Sequence, residues 1–344
     1  MSLLLVDGFE GYGRTNDVDA VGLTNRYTVV GNQAALEIDD GRFSESKSLK
    51  SINGGTNEIT SFSLGTPSTI VTGLALKVSE IVDNLILLEC RDGATVHVAL
   101  RLQADGELGV YRNTTLLGAT SGLNLLANNW YHVGLKATIN NSTGAVELRV
   151  GEVTVLNLTS QDTQNGGSAQ VTNLNLRKPS SALTVWWDDW YVCDTAGSVN
   201  NDFLGNVKVV AVFPDGEGTT NDWTPSAGAD NSAMVDETTV DDDTTYVEAG
   251  STDDKDLYTY GALPGTIGAI KGIQINEDCR ETDASPFSIK TVIRSNGTES
   301  DDAGQAIGST NYTTKHRISE TNPDGGGAWT ESAVNAAEFG IKVG

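Results

Sequence analysis

The sequence is poor in basic residues and has no long apolar run. It contains 22 Lys and Arg against 46 Asp and Glu, which gives a formal net charge of -24 over 344 residues. Nucleic-acid backbones and anionic membranes are bound through clustered Lys and Arg, so this deficit argues against both as partners. No apolar stretch approaches the roughly 20 residues that a membrane-spanning helix needs.

Cysteine is also scarce, and no secretion signal is recognisable. Cys90, Cys193 and Cys279 are odd in number and widely spaced, so they predict neither a disulfide framework nor a zinc site. The N-terminal MSLLLVDGFEGYG has a short apolar run without a preceding basic region, which is typical of a strand rather than a signal peptide. We therefore expect the protein to be made in a cytoplasm.

Short strand-like segments dominate what remains. Runs of Val, Ile, Leu, Thr and aromatics are broken by Gly, Asn and Asp at regular intervals, as in an antiparallel sandwich or jelly roll. The region between Asp215 and Asp256 is loop-rich and acidic, and strand patterns then return. This organisation predicts an all-β chain with one domain over 1–195, a linker over 196–206 and a second β-sandwich domain over 207–344.

The segment NNWYHVGLKATINNSTGAVELRVGEVTVL carries the first family resemblance. It resembles the laminin-G and concanavalin-A-like jelly rolls over roughly residues 1–195. In that family, a strand of the form W-x-H-V is followed by one that ends in L-x-V-x-G. The matching residues here are Trp130, His132, Val133, Leu148, Val150 and Gly151. The resemblance implies that VWWDDWYVCD is the closing strand and that it lies beside the first strand, LLLVDGFEGY.

The closing strand raises the question of a ligand site. Its aromatic residues Trp186, Trp187, Trp190 and Tyr191 could stack on a glycan, or they could be buried in a core. Regular alternation would place Trp186, Asp188 and Trp190 on one face of the sheet. Trp187, Asp189 and Tyr191 would then lie on the other face. The same alternation would separate Asp188 from Asp189, so that they could not flank one glycosidic bond.

No other catalytic pattern is visible. The Gly-rich segments lack the Gly-Lys-Ser/Thr ending of a phosphate-binding loop, and no histidine has a Ser or Cys partner at a suggestive spacing. We therefore predict no enzymatic activity. For a metal, calcium at the acidic turn Asp241, Asp242 and Asp243 is the candidate, although the turn lacks a D-x-D-x-D-G loop and could simply be solvated.

The second half carries a resemblance to virion proteins of tailed bacteriophages, in which a laminin-G-like domain precedes a second β domain. The order of landmarks extends the resemblance over almost the whole chain. The matching residues are Phe203, Leu204, Gly205, Val207, Trp223, Pro225, Asp243, Thr245, Tyr246, Val247, Trp329, Val334, Asn335, Glu338, Phe339, Gly340 and Val343.

This resemblance implies a structural component of a phage capsid or tail, located in the virion. Its second domain would serve attachment or assembly. We expect homo-oligomers that bind other virion proteins. The alternative is an adhesin whose lectin-like domain binds a host surface glycan.

Overall fold

In a computed structural model, residues 2–13, 17–18, 22–52, 56–178, 183–283 and 287–344 are described. The chain divides into two compact units, Met1–Val209 and Val210–Gly344. The first unit thus includes residues 196–206, which the sequence predicts to be a linker. Their contacts with the first unit form part of the candidate site below.

The first unit is built from short strands separated by tight turns. Its strands are β1 (Leu3–Asp7), β2 (Asp17–Val18), β3 (Thr28–Gly31), β4 (Leu36–Asp40), β5 (Lys47–Ser51), β6 (Asn57–Thr60), β7 (Thr69–Val78), β8 (Leu85–Asp92), β9 (Thr95–Leu102), β10 (Leu108–Arg112), β11 (Thr115–Ala119), β12 (Tyr131–Thr138), β13 (Gly144–Val150), β14 (Val153–Gln161), β15 (Asn173–Lys178) and β16 (Val185–Asp194). The hairpin between β13 and β14 turns at Gly151, whose φ of 62° suits glycine.

Two antiparallel sheets form a sandwich from these strands. The nine-stranded sheet has the order β14-β13-β12-β7-β16-β5-β4-β2, with β1 paired to β16. The seven-stranded sheet has the order β11-β10-β9-β8-β15-β6-β3. The pairing of β1 with β16 confirms the predicted contact of the first strand with the closing strand.

The core of the first unit lies between the two sheets. Alternating side chains of the nine-stranded sheet, such as Ile38, Leu49 and Trp187, meet those of the seven-stranded sheet, such as Leu88 and Leu100. The other side of the nine-stranded sheet faces away from this core, and we call it the outer face.

The second unit is also built from antiparallel strands. They are β17 (Pro214–Asn221), β18 (Thr224–Pro225), β19 (Val247–Glu248), β20 (Lys255–Tyr260), β21 (Ile273–Cys279), β22 (Ser288–Ser295), β23 (Thr298–Asp301), β24 (Gln305–Ala306), β25 (Thr313–Ser319) and β26 (Glu338–Val343). A six-stranded sheet has the order β17-β20-β26-β22-β23, with β24 paired to β22. Two ribbons, β18-β19 and β21-β25, complete the unit.

Helices are short and few in the described chain. They are α1 (Leu23–Arg26), α2 (Glu331–Asn335) and the 3-10 turns Glu10–Tyr12, Gln33–Ala35 and Ser232–Met234. None of the helices in the described ranges has the length and apolar character to cross a membrane. The predicted all-β fold class, with an N-terminal jelly-roll sandwich, is confirmed.

Candidate functional site

The closing strand β16 contains a β-bulge that sequence alternation does not reveal. Asp188 lies opposite Ala75 of β7, and Tyr191 lies opposite Gly73, so β16 has one residue more than its partner between these points. Asp189 takes up the extra residue with a φ of 51°. From there on the two faces are exchanged relative to regular alternation.

The bulge corrects the predicted distribution of the aromatic residues. Trp190 turns into the core together with Trp187, and the two side chains are 0% and 1% exposed. The Trp190 indole donates a hydrogen bond to Thr72 Oγ1 over 3.0 Å and stacks on Tyr27 at a centroid distance of 6.1 Å. Neither tryptophan can reach a ligand from this position.

Tyr191 and Trp186 instead share the outer face. Tyr191 is fully buried there, with its ring against Gly73. Trp186 is half-buried and lies at an open part of the same face. The structure therefore brings two of the four predicted glycan-binding side chains to one face, and only Trp186 of the four is partly accessible there.

A row of side chains that includes Trp186 crosses four strands of the outer face and ends at the residue before a fifth. Register pairs Glu37 with Lys50, Lys50 with Trp186, and Trp186 with Lys77. Trp130 immediately precedes β12, whose first residue lies opposite Leu76. Because neighbouring strands are about 4.8 Å apart, the row from Glu37 to Trp130 is about 19 Å long. We call these five residues the open row.

The open row combines aromatic rings with charged groups. Lys77 Nζ lies 4.2 Å from the Trp186 ring centroid and 4.7 Å from that of Trp130, which are cation-π distances. Burial between these rings lowers the pKa of Lys77. The Trp186 indole donates a hydrogen bond to Asp39 Oδ2 over 2.9 Å. Lys50 bridges Glu37 and Asp39 at 3.0 and 3.3 Å.

Next to the open row, the same face holds a buried group of polar side chains. Arg42 is at its centre: its backbone N–H donates to Asp188 Oδ2 over 2.7 Å, and its guanidinium lies 2.8 Å from Asp189 Oδ2. The His132 ring stacks on Tyr191 with a centroid distance of 6.2 Å. We define the covered cluster as Glu10, Arg42, His132, Asp188, Asp189 and Tyr191.

The carboxyl groups of the covered cluster are shifted toward their neutral forms. Burial, followed by the charge of Asp189, raises the pKa of Asp188 to about 7. Burial also raises the pKa of Asp189, although Arg42 opposes the shift. Burial and the charge of Asp188 raise the pKa of Glu10 well above its usual range.

His132 remains neutral for the same physical reason. Burial and the nearby Arg42 charge lower its pKa to about 4. The residue is 5% exposed, and neither ring nitrogen meets hydrogen-bond geometry with any described residue. Glu10 Oε1 and Arg42 Nε also lack hydrogen-bond partners within the described part of the chain. Buried polar atoms without partners are costly, so such a group points to a ligand or ordered water.

The segment Asp202–Val209, which we call the strap, covers this cluster. The backbone N–H of Leu204 donates to Tyr191 over 3.1 Å, and that of Val209 donates to Asp189 Oδ1 over 2.7 Å. Arg42 donates to the Val207 carbonyl over 2.6 Å and to the side chain of Asn206. These bonds explain why the segment beyond β16 belongs to the first unit.

The acidic turn of the second unit is bound by groups of the protein itself. Asp243 pairs with Arg280 at 2.6 Å and accepts a hydrogen bond from Tyr312. Asp241 accepts hydrogen bonds from the N–H and hydroxyl of Thr245. Across the described ranges, no group of three His, Cys, Asp or Glu side chains is arranged to hold a metal ion. Calcium at Asp241, Asp242 and Asp243 stays a prediction.

Several residues of the site were missed by sequence reasoning. Lys77, Arg42 and the strap meet Trp186, Asp188 and Tyr191 only through pairing between distant strands. Trp130 was noted as a family landmark rather than as a surface residue. One available signal was the recurrence of glycine within otherwise apolar strands, at Gly73 and Gly134.

Comparisons with solved structures find β-sandwich proteins at low sequence identity. No family model and no curated protein matches the chain, so the virion resemblance has no support from a sequence family. The alginate lyase Aly36B is 12% identical, with a TM-score of 0.41, over 55% of this chain and 96% of that one. Domain 4 of an extracellular arabinanase from Geobacillus stearothermophilus, in complex with arabinotriose, is 14% identical, with a TM-score of 0.38, over 56% and 92%.

A phage protein is among the similar structures. A carbohydrate esterase from the Shiga toxin-encoding bacteriophage phi24B is 14% identical, with a TM-score of 0.36, over 55% of this chain and 99% of that one. The expectation that the chain is not an enzyme is corrected here, because lyases and an esterase are among the proteins with this type of fold. That expectation also assumed that strand alternation separates Asp188 from Asp189. Because of the bulge, both residues instead contact Arg42.

Proposed function

We propose that the first unit binds a carbohydrate along the open row of the nine-stranded sheet. The observation that carries the proposal is the pair of half-buried tryptophans, Trp130 and Trp186, held on either side of Lys77. Indole rings offer an apolar surface to the C–H groups of a sugar, while neighbouring polar groups orient its hydroxyls.

The charges of the open row and of Asp39 beside it favour a neutral sugar. Glu37 and Asp39 balance Lys50 and Lys77, and three of these four groups already form ion pairs. Sugar hydroxyls can accept from a lysine and donate to a carboxylate. A uronate, by contrast, would gain from the lysines and lose at the carboxylates.

Glycan binding by the full chain tests the proposal. We would titrate arabinotriose, alginate tetrasaccharide and an array of neutral linear oligosaccharides while following binding by calorimetry. W186A is expected to weaken binding of the recognised sugar at least tenfold. The matched control is W223A, which removes a half-buried tryptophan of the second unit whose indole donates to the Asp254 carbonyl over 3.1 Å. Equal affinity of W186A and the unmodified protein would contradict the proposal.

We further propose that this carbohydrate-binding chain is a component of a tailed-phage particle. The proposal is supported by the order of sequence landmarks from Phe203 to Val343 and by the acidic composition, which suits a surface exposed to water. The protein would be made in the host cytoplasm, form homo-oligomers and bind capsid or tail proteins. The glycan bound by the open row would then be a polysaccharide of the host surface.

Particle composition tests this second proposal. Mass spectrometry of particles purified from the phage that encodes the chain should detect it at a fixed copy number per capsid or tail. Sedimentation of the purified protein should show an oligomer, alone or with particle proteins. Particles without the protein would contradict the proposal and leave carbohydrate binding by the open row as a separate question.

A further inference from the structure

We infer that the strap Asp202–Val209 is a displaceable occupant of a sugar-binding groove, and that the covered cluster beneath it is the continuation of the open row. The inference rests on the proposed carbohydrate binding and extends it. The ligand class is a neutral, hydroxyl-rich oligosaccharide too long for the open row alone.

The open row and the covered cluster lie on one continuous face. Trp186 and Asp188 are two residues apart on β16, before the bulge, so both point outward. On β12, His132 lies opposite Ala75 and Gly134 lies opposite Gly73, in the same outward register as Lys77. The boundary between the two parts is where the strap begins to cover the sheet.

The floor under the strap is a trough made by glycines. Gly73 and Gly134 are paired across β7 and β12, so neither strand projects a side chain outward there. A Cβ on Gly73 would lie 2.3 Å from the Tyr191 ring, and one on Gly134 would lie 2.9 Å from the Phe203 ring. The strap therefore places an aromatic ring, Phe203, directly on a flat part of the sheet. The Arg149 guanidinium lies over that ring, 4.1 Å from its centroid.

The strap makes hydrogen bonds to the cluster that sugar hydroxyls could replace. Its N–H at Val209 donates to a carboxylate, and its carbonyl at Val207 accepts from a guanidinium. Sugar hydroxyls can make both kinds of bond. Among the described residues, the strap also leaves both nitrogens of His132, Nε of Arg42 and Oε1 of Glu10 without hydrogen-bond partners, so it fills the groove incompletely. A ligand with more hydroxyls per unit length could satisfy more of these atoms.

The charge of the cluster selects against an acidic sugar. Three carboxyl groups, those of Glu10, Asp188 and Asp189, share this buried cluster with one guanidinium, that of Arg42, which pairs with Asp189. A uronate would bring a further charge into a group whose burial already disfavours ionised carboxylates. Neutral oligosaccharides are therefore the ligands we expect under the strap.

The experiment compares short and long oligosaccharides on a strap variant of the full chain. The double variant F203A/N206A removes the ring on Gly134 and one partner of Arg42, and leaves the open row and the cluster unchanged. The probes are linear arabinan, glucan, galactan and mannan oligosaccharides of three and of eight units. The control is V199A, an exposed residue of the same connecting segment.

The inference predicts a dependence on chain length. For the sugar that binds, the three-unit probe should bind the unmodified protein, F203A/N206A and V199A equally. The eight-unit probe should bind F203A/N206A at least tenfold more tightly than the other two proteins. Hydrogen exchange at the amides of Leu204 and Val209 should be faster in F203A/N206A, and addition of the eight-unit probe to the unmodified protein should also accelerate it.

The possible failures are distinguishable. Faster amide exchange with unchanged affinity for the eight-unit probe would overturn the inference while the three-unit result upholds the proposed function. If none of the probes of either length binds, the proposed function itself fails. If F203A/N206A does not accelerate amide exchange, a second variant replaces residues 202–209 with an eight-residue Gly-Ser sequence. Equal affinity of that variant for the three-unit and the eight-unit probe would overturn the inference.

Discussion

At the residue scale, the outer face depends on the fit between Tyr191 and a glycine. Gly73 lies opposite Tyr191, and a Cβ built there would come within 2.3 Å of Cε1 of the tyrosine ring. Tyr191 is fully buried, with its hydroxyl bound by the Leu204 amide, so its ring has little room to move away. There is therefore no space for a side chain at Gly73 in the otherwise largely apolar strand β7.

G73A is expected to destabilise the first unit by about 2 kcal/mol, because overpacking of a filled site typically costs about 1–3 kcal/mol. Chemical denaturation followed by tryptophan fluorescence measures the change. G11A is the matched control, since a Cβ at Gly11 would meet no atom within 4 Å. In a Y191A background, the G73A substitution should lower the free energy of unfolding by much less than it does in the unmodified protein. Equal stability of G73A and the unmodified protein would mean that Tyr191 can leave its position.

The Asp188 carboxyl links stability to pH. Its pKa is raised to about 7 in the folded protein, so the folded state holds a proton that the unfolded state, with a value of 3.8, releases. The stability that this proton contributes is complete below about pH 4 and is lost as pH rises through 7. D188N cannot titrate. Its stability relative to the unmodified protein should therefore increase between pH 5 and pH 8, by about 2 kcal/mol, since one pKa unit corresponds to about 1.4 kcal/mol.

Denaturation at each pH provides the measurement for D188N. The difference between the two proteins isolates Asp188 from His132, whose lowered pKa acts in the opposite direction because it disfavours the fold as pH falls from 6.5 toward 4. A constant difference across this range would show that Asp188 is ionised in the folded protein at pH 5.

At the scale of elements, the bulge in β16 determines which side chains the closing strand presents. Because Asp189 bulges out of the pairing with β7, Trp190 lies in the core and Tyr191 on the outer face, which is the reverse of regular alternation counted through Asp189. The left-handed conformation of Asp189 is tolerated by Asn and Asp better than by most residues.

Deletion of Asp189 should leave the core packing of the first unit intact. Without the extra residue, regular alternation from Asp188 still places Trp190 in the core and Tyr191 on the outer face, in register with β7. The deletion removes the carboxylate that pairs with Arg42 and accepts from the Val209 amide, so hydrogen exchange at Val209 should become faster. We expect the near-ultraviolet circular dichroism of the buried tryptophans and cooperative unfolding to be retained. D189N is the control, because it keeps the bulge and removes only the charge. Loss of the near-ultraviolet signal in the deletion variant alone would contradict this account of the bulge.

Sequence patterns could predict the strands but not their irregularities. The short apolar runs and the regularly spaced turn residues indicated an all-β sandwich, and the pairing of β1 with β16 followed from the family resemblance. The faces of Trp190 and Tyr191 were wrong because a bulge depends on tertiary packing rather than on local composition. The open row could not be predicted either, since Lys50, Trp186 and Lys77 become neighbours only when three distant strands pair.

At the scale of the whole molecule, charge and core are distributed unequally between the two units. Residues 210–344 contain 24 acidic and 8 basic side chains, a net charge of -16, which is two thirds of the total of -24. One core cluster of this unit has five buried members, Ile293, Trp329, Val334, Ala337 and Phe339, whereas the core cluster of the first unit includes residues from both sheets. Repulsion within the second unit is thus opposed by less apolar burial.

We therefore expect two thermal transitions with different responses to salt. Electrostatic self-repulsion destabilises a compact state and is screened at distances beyond about 8 Å at physiological ionic strength, so added NaCl should raise the lower transition more than the upper one. A gain of about 1 kcal/mol would shift the transition of a unit of this size by roughly 4 °C. Differential scanning calorimetry of the full chain between 20 mM and 500 mM NaCl measures both transitions, and W329A should lower only the salt-sensitive one. A lower transition that does not respond to salt would mean that the small core, rather than the charge, limits the stability of the second unit.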